Sequence, residues 1–157
     1  ILIWGEIELA YHYGRGDVLA ITGTNGKTTT TTLLGEIMKA HQSEVFVVGN
    51  IGNPYTMEAM KMTEQSVTVA EISSFQLETI HGFAPKISAI LNITPDHLNR
   101  HHTMENYISA KEAITRNQTK DDYCVLNYED DVLRVFGEET EATPFYFSSK
   151  RELPVGI

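Results

Sequence analysis

Residues 18–40 constrain the chain most. An apolar run, Val18-Leu19-Ala20-Ile21, leads into Gly23-Thr24-Asn25-Gly26-Lys27-Thr28-Thr29, and a helix-like stretch follows from Thr29 to Ala40. That order predicts a strand, a glycine-rich loop and a helix. Glycine lets a backbone approach a bound group closely, and successive loop N–H groups then point at an anion. The helix N-terminus adds partial positive charge. Lys27 adds a full charge, and the Thr28 hydroxyl suits a magnesium ion. Gly23, Thr24, Asn25, Gly26, Lys27, Thr28 and Thr29 are thus read as a nucleoside triphosphate site. The loop is shorter than the common phosphate-loop pattern, because only two residues separate Gly23 from Gly26. A bare Gly-x-x-Gly-Lys-Thr also suits a plain glycine-rich turn.

The rest of the chain alternates short β-branched runs with helix-like stretches. Strands are expected over Val18–Thr22, Val45–Val48, Val67–Glu71, Ile87–Asn92, Tyr123–Asn127 and Pro144–Phe147. Helices are expected over Thr29–Ala40, Pro54–Met62, Ser74–His81, Thr103–Asn117 and Asp130–Gly137, with Gly5–Tyr13 a connector or short helix. This is an α/β pattern: a mostly parallel sheet flanked by helices. In such sheets ligands bind beyond the carboxyl ends of the strands. Four successive strand ends here run into the glycine loop, Gly49-Asn50, Glu71 with Ser73-Ser74, and Asn92 with Thr94-Pro95-Asp96-His97. One composite site is expected at that rim.

Bulk properties narrow the class. The 157 residues suit about one domain, and the formal net charge of −9 argues against non-specific nucleic-acid binding. The lone Cys124 excludes an internal disulfide and, lying in an apolar run, reads as a buried structural thiol in a reducing compartment. No stretch is long and apolar enough to span a membrane.

Three residues stand out as candidates for chemistry. Glu71 ends an apolar strand, where a carboxylate is costly unless paired or bound to a cation; an exposed strand-end glutamate is the plainer alternative. His97 follows the fourth strand beside Asp96 and has the chemistry to ligate metal or hydrogen-bond a substrate. His101 and His102 read as surface residues, and His12, His41 and His81 have no functional context. Lys111 falls on the stripe formed by Met104, Tyr107, Ile108 and Ile114, so its face of the helix is the buried one. Two readings stand for it: a stem laid on the core with its ammonium in water, or a buried amine of lowered pKa that adds carbon dioxide to give a carbamate.

Taken together, three segments resemble the central domain of the Mur ligases. Thr22–Thr29 is similar to the shortened phosphate loop that this family shares with folylpolyglutamate synthetases. Glu71-Ile72-Ser73-Ser74-Phe75-Gln76-Leu77-Glu78 resembles the segment of the D-glutamate-adding branch. Asn92-Ile93-Thr94-Pro95-Asp96-His97-Leu98-Asn99-Arg100 resembles the family's histidine motif. The resemblance implies a P-loop-type ATP-binding domain over residues 17–157, incomplete at its C-terminal end, with residues 1–16 a connector from an N-terminal UDP-binding domain. It implies ATP and Mg2+ as cofactors. Lys27 and the loop amides would hold the phosphates, Thr28, Glu71 and His97 the metal, with Lys111 joining them as a carbamate. Asn50, Ser73, Gln76 and His97 would contact the substrate. The implied reaction is ATP-driven amide-bond formation between UDP-N-acetylmuramoyl-L-alanine and D-glutamate through an acyl phosphate, by a monomer in the cytoplasm. The isolated chain is then expected to be inactive. Competing readings are a folylpolyglutamate-synthetase-like ligase, a nucleotide-binding module without ligase activity, and an ordinary P-loop hydrolase.

Overall fold

The computed structural model describes residues 3–95, 101–154 and 156–157. Its elements follow in the order α1 Glu6–Tyr13, β1 Asp17–Thr22, α2 Lys27–Lys39, β2 Val45–Gly49, α3 Tyr55–Ala59, β3 Val67–Glu71, α4 Ser74–Leu77, β4 Ile87–Ile90, α5 Met104–Glu112, a 3-10 turn Ala113–Thr115, β5 Tyr123–Asn127, α6 Asp131–Glu139 and β6 Thr143–Phe147. The six strands form one sheet in the order β2-β3-β1-β4-β5-β6, and every pairing is parallel.

Topology decides which face each helix covers. The crossover from β1 to β2 runs one way across the sheet, and all later crossovers run the other way. Because such crossovers are right-handed, α2 lies on one face, while α3, α4, α5 and α6 lie on the other. The crowded face holds the core, including Ile72, Leu77, Phe83, Ile90, Leu126 and Leu133. Helix α1 joins it through Ile7 and Ala10. The buried Glu8 carboxylate accepts the N–H groups of His81, Gly82 and Phe83 at 2.8–3.0 Å, fastening α1 to the segment after α4.

Helix α2 packs on β1, β2 and β3, so the second face stays open beneath β4, β5 and β6. In β4 and β5 the side chains alternate accordingly. Ser88, Ile90, Cys124 and Leu126 are fully buried, while Ile87, Tyr123 and the neighbouring Phe145 are exposed. An apolar trough of about 580 Å³ runs along this face, between α2 residues Leu33 and Ile37 and strand residues Ile87, Ala89, Val125 and Phe147. Among the described residues no helix is long and apolar enough to cross a membrane.

The parallel α/β reading holds, and all six expected strands are present. Several ends differ for local reasons. Strand β4 stops at Ile90 because Asn92 turns to bond the glycine loop. Helix α3 stops at Ala59, where Lys61 and Met62 donate to Glu58 and Ala59 in tighter turns. Helix α4 is one turn long, since the amides that would extend the path, from His81 onward, go to Glu8. The long helix expected over Thr103–Asn117 changes to 3-10 at Ala113.

Candidate functional site

The glycine loop sits between the end of β1 and the start of α2. Gly26, at φ 83°, is the left-handed N-cap of α2, a conformation that suits glycine best. With no side-chain cap on this helix, the first amides of α2 lack intrahelical partners and face outward, the arrangement that favours an anion. The loop is braced from outside. Asn92 accepts the Asn25 N–H through Oδ1 at 2.8 Å and donates from Nδ2 to the Asn25 carbonyl at 3.0 Å. The Thr24 N–H donates to the Asn92 carbonyl at 2.9 Å. The amides of Thr24 and Asn25 are therefore engaged with the segment after β4, and the open donors are concentrated at Gly26, Lys27, Thr28 and Thr29.

Two lysines meet at this loop. Lys27 Nζ donates to the carbonyls of Gly23 and Thr24 at 3.0 and 2.9 Å. Lys111 Nζ donates to the Gly23 carbonyl at 2.8 Å and lies 4.7 Å from the centre of the Tyr107 ring. Lys111 is only 2% exposed, so its ammonium does not reach water, and the reading of a stem with a solvated head is overturned. Tyr107, one turn earlier on α5, carries the same buried face.

Glu71 closes the other side. It is 1% exposed at the end of β3, not the exposed strand-end residue that was the plainer alternative. Its carboxylate accepts from Thr28 Oγ1 and Asn50 Nδ2, each at 2.8 Å. Among the described residues these donors are neutral, and a buried carboxylate with neutral donors retains its attraction for a cation. Gly49 at φ 104° lets β2 pass the Glu71 carbonyl and deliver Asn50. Among the described residues no group of three or more His, Cys, Asp or Glu could hold a metal ion. The set fits magnesium, which takes one or two carboxylates and completes its shell with waters and phosphate oxygens.

Ser73 and Gln76 form a reciprocal capping box on α4: Gln76 N–H donates to Ser73 Oγ, and Ser73 N–H donates to Gln76 Oε1 at 2.9 Å. In this arrangement the two side chains satisfy one another and shape the segment after Glu71. His97 and Asp96 lie outside the described residues. His101, read as a surface residue, is instead buried, at 5% exposure. The helical stripe of α5 begins after it, so periodicity gave no signal for its burial. His102 is exposed, as expected. Asn92 and Tyr107 are the loop-bracing residues that the sequence reading did not single out. Cys124 is fully buried, and burial pushes its thiol up to about 12.

The comparisons with known proteins agree with this geometry. The Mur ligase middle domain family model matches residues 21–152. The UDP-N-acetylmuramoylalanine--D-glutamate ligase of Lachnospira eligens is 64% identical over 99% of this chain, which covers 35% of that relative. The protein of the same name from Clostridioides difficile is 52% identical, again over 99% of the chain and 35% of the relative. The chain thus spans about a third of the length of the curated relatives it matches. Among solved structures, the MurF ligase of Thermotoga maritima in complex with ADP superposes with a TM-score of 0.73 at 21% identity, over 93% of this chain and 36% of that one. A MurF of Acinetobacter baumannii gives 0.67 at 21% identity, over 89% and 33%. Sequence motifs, an all-parallel sheet with its polar groups at one rim, and a family model spanning most of the length lead to one conclusion: this chain belongs to the Mur ligase family.

Proposed function

We propose that the full-length protein containing this chain joins D-glutamate to UDP-N-acetylmuramoyl-L-alanine, with ATP hydrolysed to ADP and phosphate. The observation that carries this reading is the convergence of Lys27, Lys111, Thr28 and Glu71 on one rim, in a chain 64% identical to a relative bearing that enzyme's name.

The reaction has a clear physical demand, because a carboxylate must attack the terminal phosphate of ATP. Two anions then approach, and negative charge shifts toward the leaving group. Lys27 swings from the Gly23 and Thr24 carbonyls to the phosphates, and the open amides of Gly26–Thr29 orient them. Thr28 and Glu71 would hold Mg2+, with His97 assigned as a further ligand, and the metal would neutralise charge on the phosphate oxygens. The muramoyl carboxylate forms a bond to the γ-phosphorus as the bond to the β-bridging oxygen breaks. The D-glutamate amine then adds to the acyl carbonyl, phosphate departs and the amine loses a proton. Asn50, Ser73, Gln76 and His97 are the residues assigned to the muramoyl side.

Lys111 suits carbamylation. Its amine, when neutral, would add to carbon dioxide with loss of a proton and turn a cation into an oxygen ligand. The product keeps one N–H, enough to retain the bond to Gly23. A monomer working in the cytoplasm completes the reading.

The test uses the full-length protein with ATP, Mg2+ and UDP-N-acetylmuramoyl-L-alanine. Phosphate release is followed with D-glutamate, L-glutamate, L-lysine or no amino acid. Release stimulated by D-glutamate alone, and lost on Lys27→Ala, supports the ligase. Release indifferent to both the amino acid and the muramoyl substrate overturns it.

A further inference from the structure

A file of polar and aromatic groups, buried at Tyr107, His101 and Ser74, connects the glycine loop to the segment after Glu71. It begins at Thr24, whose Oγ1 donates to the Thr94 carbonyl at 3.1 Å and accepts the Thr94 N–H at 3.0 Å. The Tyr107 hydroxyl lies 3.0 Å from the same oxygen. Either hydroxyl can donate in that pair. The Tyr107 ring is 1% exposed and carries Lys111 Nζ on one side. The His101 ring packs against it at 5.2 Å. His101 in turn stacks on Phe75, at 5.3 Å and 14°. Its Nε2 lies 3.0 Å from Ser74 Oγ, and its Nδ1 lies 3.4 Å from Glu78 Oε1. Glu78 is a carboxylate acceptor, so the ring nitrogen facing it, Nδ1, is the one that carries a proton.

We propose that Tyr107 and His101 are positioning residues that couple the nucleotide loop to the Ser73–Glu78 segment, so that the setting of one side is felt at the other. This rests on the ligase reading only in assigning the muramoyl substrate to that segment. Neither residue needs to touch substrate. Tyr107 fixes Thr24 and the plane under Lys111. His101 fixes α4 through Ser74 and Glu78 and meets Tyr107 ring to ring. Ordinary core packing would account for burial. It would not account for directed polar contacts at both ends of one ring-to-ring contact, Tyr107 on the loop and His101 on the capped turn. Coupling is reciprocal where it exists, so a change at the loop must be read at the acceptor side and the reverse.

The experiment is a double-mutant cycle in the full-length protein. Tyr107→Phe removes one oxygen and keeps the ring. His101→Phe keeps a stacked ring and removes both polar contacts. Affinity for ADP with Mg2+ is measured by calorimetry, and KM for UDP-N-acetylmuramoyl-L-alanine by phosphate release. Tyr107→Phe is expected to weaken ADP about 5- to 10-fold, the effect of one lost buried hydrogen bond, and to raise the muramoyl KM although it lies away from that segment. His101→Phe is expected to weaken ADP in the wild-type background and to have little further effect beside Tyr107→Phe. Additive effects, or a Tyr107→Phe variant with an unchanged muramoyl KM, overturn the coupling. If His101→Phe does not fold, the Tyr107→Phe measurements alone decide. A wild-type protein without D-glutamate-dependent release would defeat the ligase reading instead, and the calorimetric cycle would still test the coupling.

Discussion

The ammonium groups of Lys27 and Lys111 converge on one acceptor, the carbonyl oxygen of Gly23, at 3.0 and 2.8 Å. Two lysines from different helices therefore hold the first residue of the nucleotide loop. Their roles separate once Lys27 turns to phosphate, because Lys111 still holds Gly23. Lys27→Ala in the full-length protein should lower kcat/KM for ATP at least about 100-fold, or about 2.7 kcal/mol of transition-state stabilisation. The melting temperature should shift by no more than a few degrees. Steady-state kinetics beside thermal unfolding measure both.

For Lys111 the expectation is a loss of both stability and activity. Lys111→Met keeps the length of the side chain but removes one member of a buried polar set, a change that costs stability when the other members stay behind. Gly23 remains served by Lys27. The variant should fold with lowered stability and lose most ligase activity. A carbonyl resonance from 13C-labelled bicarbonate, present in the full-length wild type and missing in Lys111→Met, would identify the carbamate directly.

Glu71 offers a test by metal dependence. Glu71→Gln preserves shape and the contact with Thr28 but removes the buried charge. The Mg2+ concentration for half-maximal activity should rise at least about 10-fold, since a carboxylate is the protein's main contribution to such a site. ADP binding measured without Mg2+ should change little. An unchanged Mg2+ midpoint would remove Glu71 from the metal site.

Gly49 is the most sensitive backbone position near the site. At φ 104° a side chain is strained, and a Cβ there would collide with the Glu71 carbonyl. Gly49→Ala is expected to cost more than about 2 kcal/mol of stability, readable by urea denaturation. It should also disturb Asn50 and hence the Mg2+ response.

Cys124 gives a simple check on the core. Its thiol is fully buried, and the pKa of about 12 reflects the cost of forming a thiolate there. Reaction with a disulfide reagent needs the thiolate. At pH 8 the native protein should therefore leave Cys124 unmodified for hours, with labelling following the denaturant-induced unfolding curve. Because the pKa is raised, increasing pH promotes reaction, but only by opening the core or approaching pH 12.

The sequence made the nucleotide loop legible because glycine placement, an apolar strand and a following helix all report on backbone geometry. Glu71 was legible for a related reason: a carboxylate closing an apolar strand is costly, and cost marks function. The stripe on α5 correctly placed Lys111 on the buried face. What periodicity lacks is direction. It puts Tyr107 inside without saying that its hydroxyl bonds Thr24, eighty-three positions away in sequence. His101 lies before the helical pattern starts, so only the approach of α4 reveals that it is enclosed. Ser73 and Gln76 carry a recognisable capping signature, Ser-x-x-Gln, yet the resemblance directed attention to substrate first. Asn92 was placed at the rim as a strand end, but its side chain imitates a peptide group toward Asn25, a role that no spacing rule encodes.

The apolar trough beneath β4, β5 and β6 is not lined by Lys27, Glu71 or Lys111, and meets the glycine loop through Leu91. One sheet thus carries two surfaces of different chemistry, a polar rim at its strand ends and an apolar flat beneath β4, β5 and β6. Polar replacements at Tyr123 or Phe145 would re-dress the second without altering the first, which makes the chemistry and the handling of this chain independently adjustable.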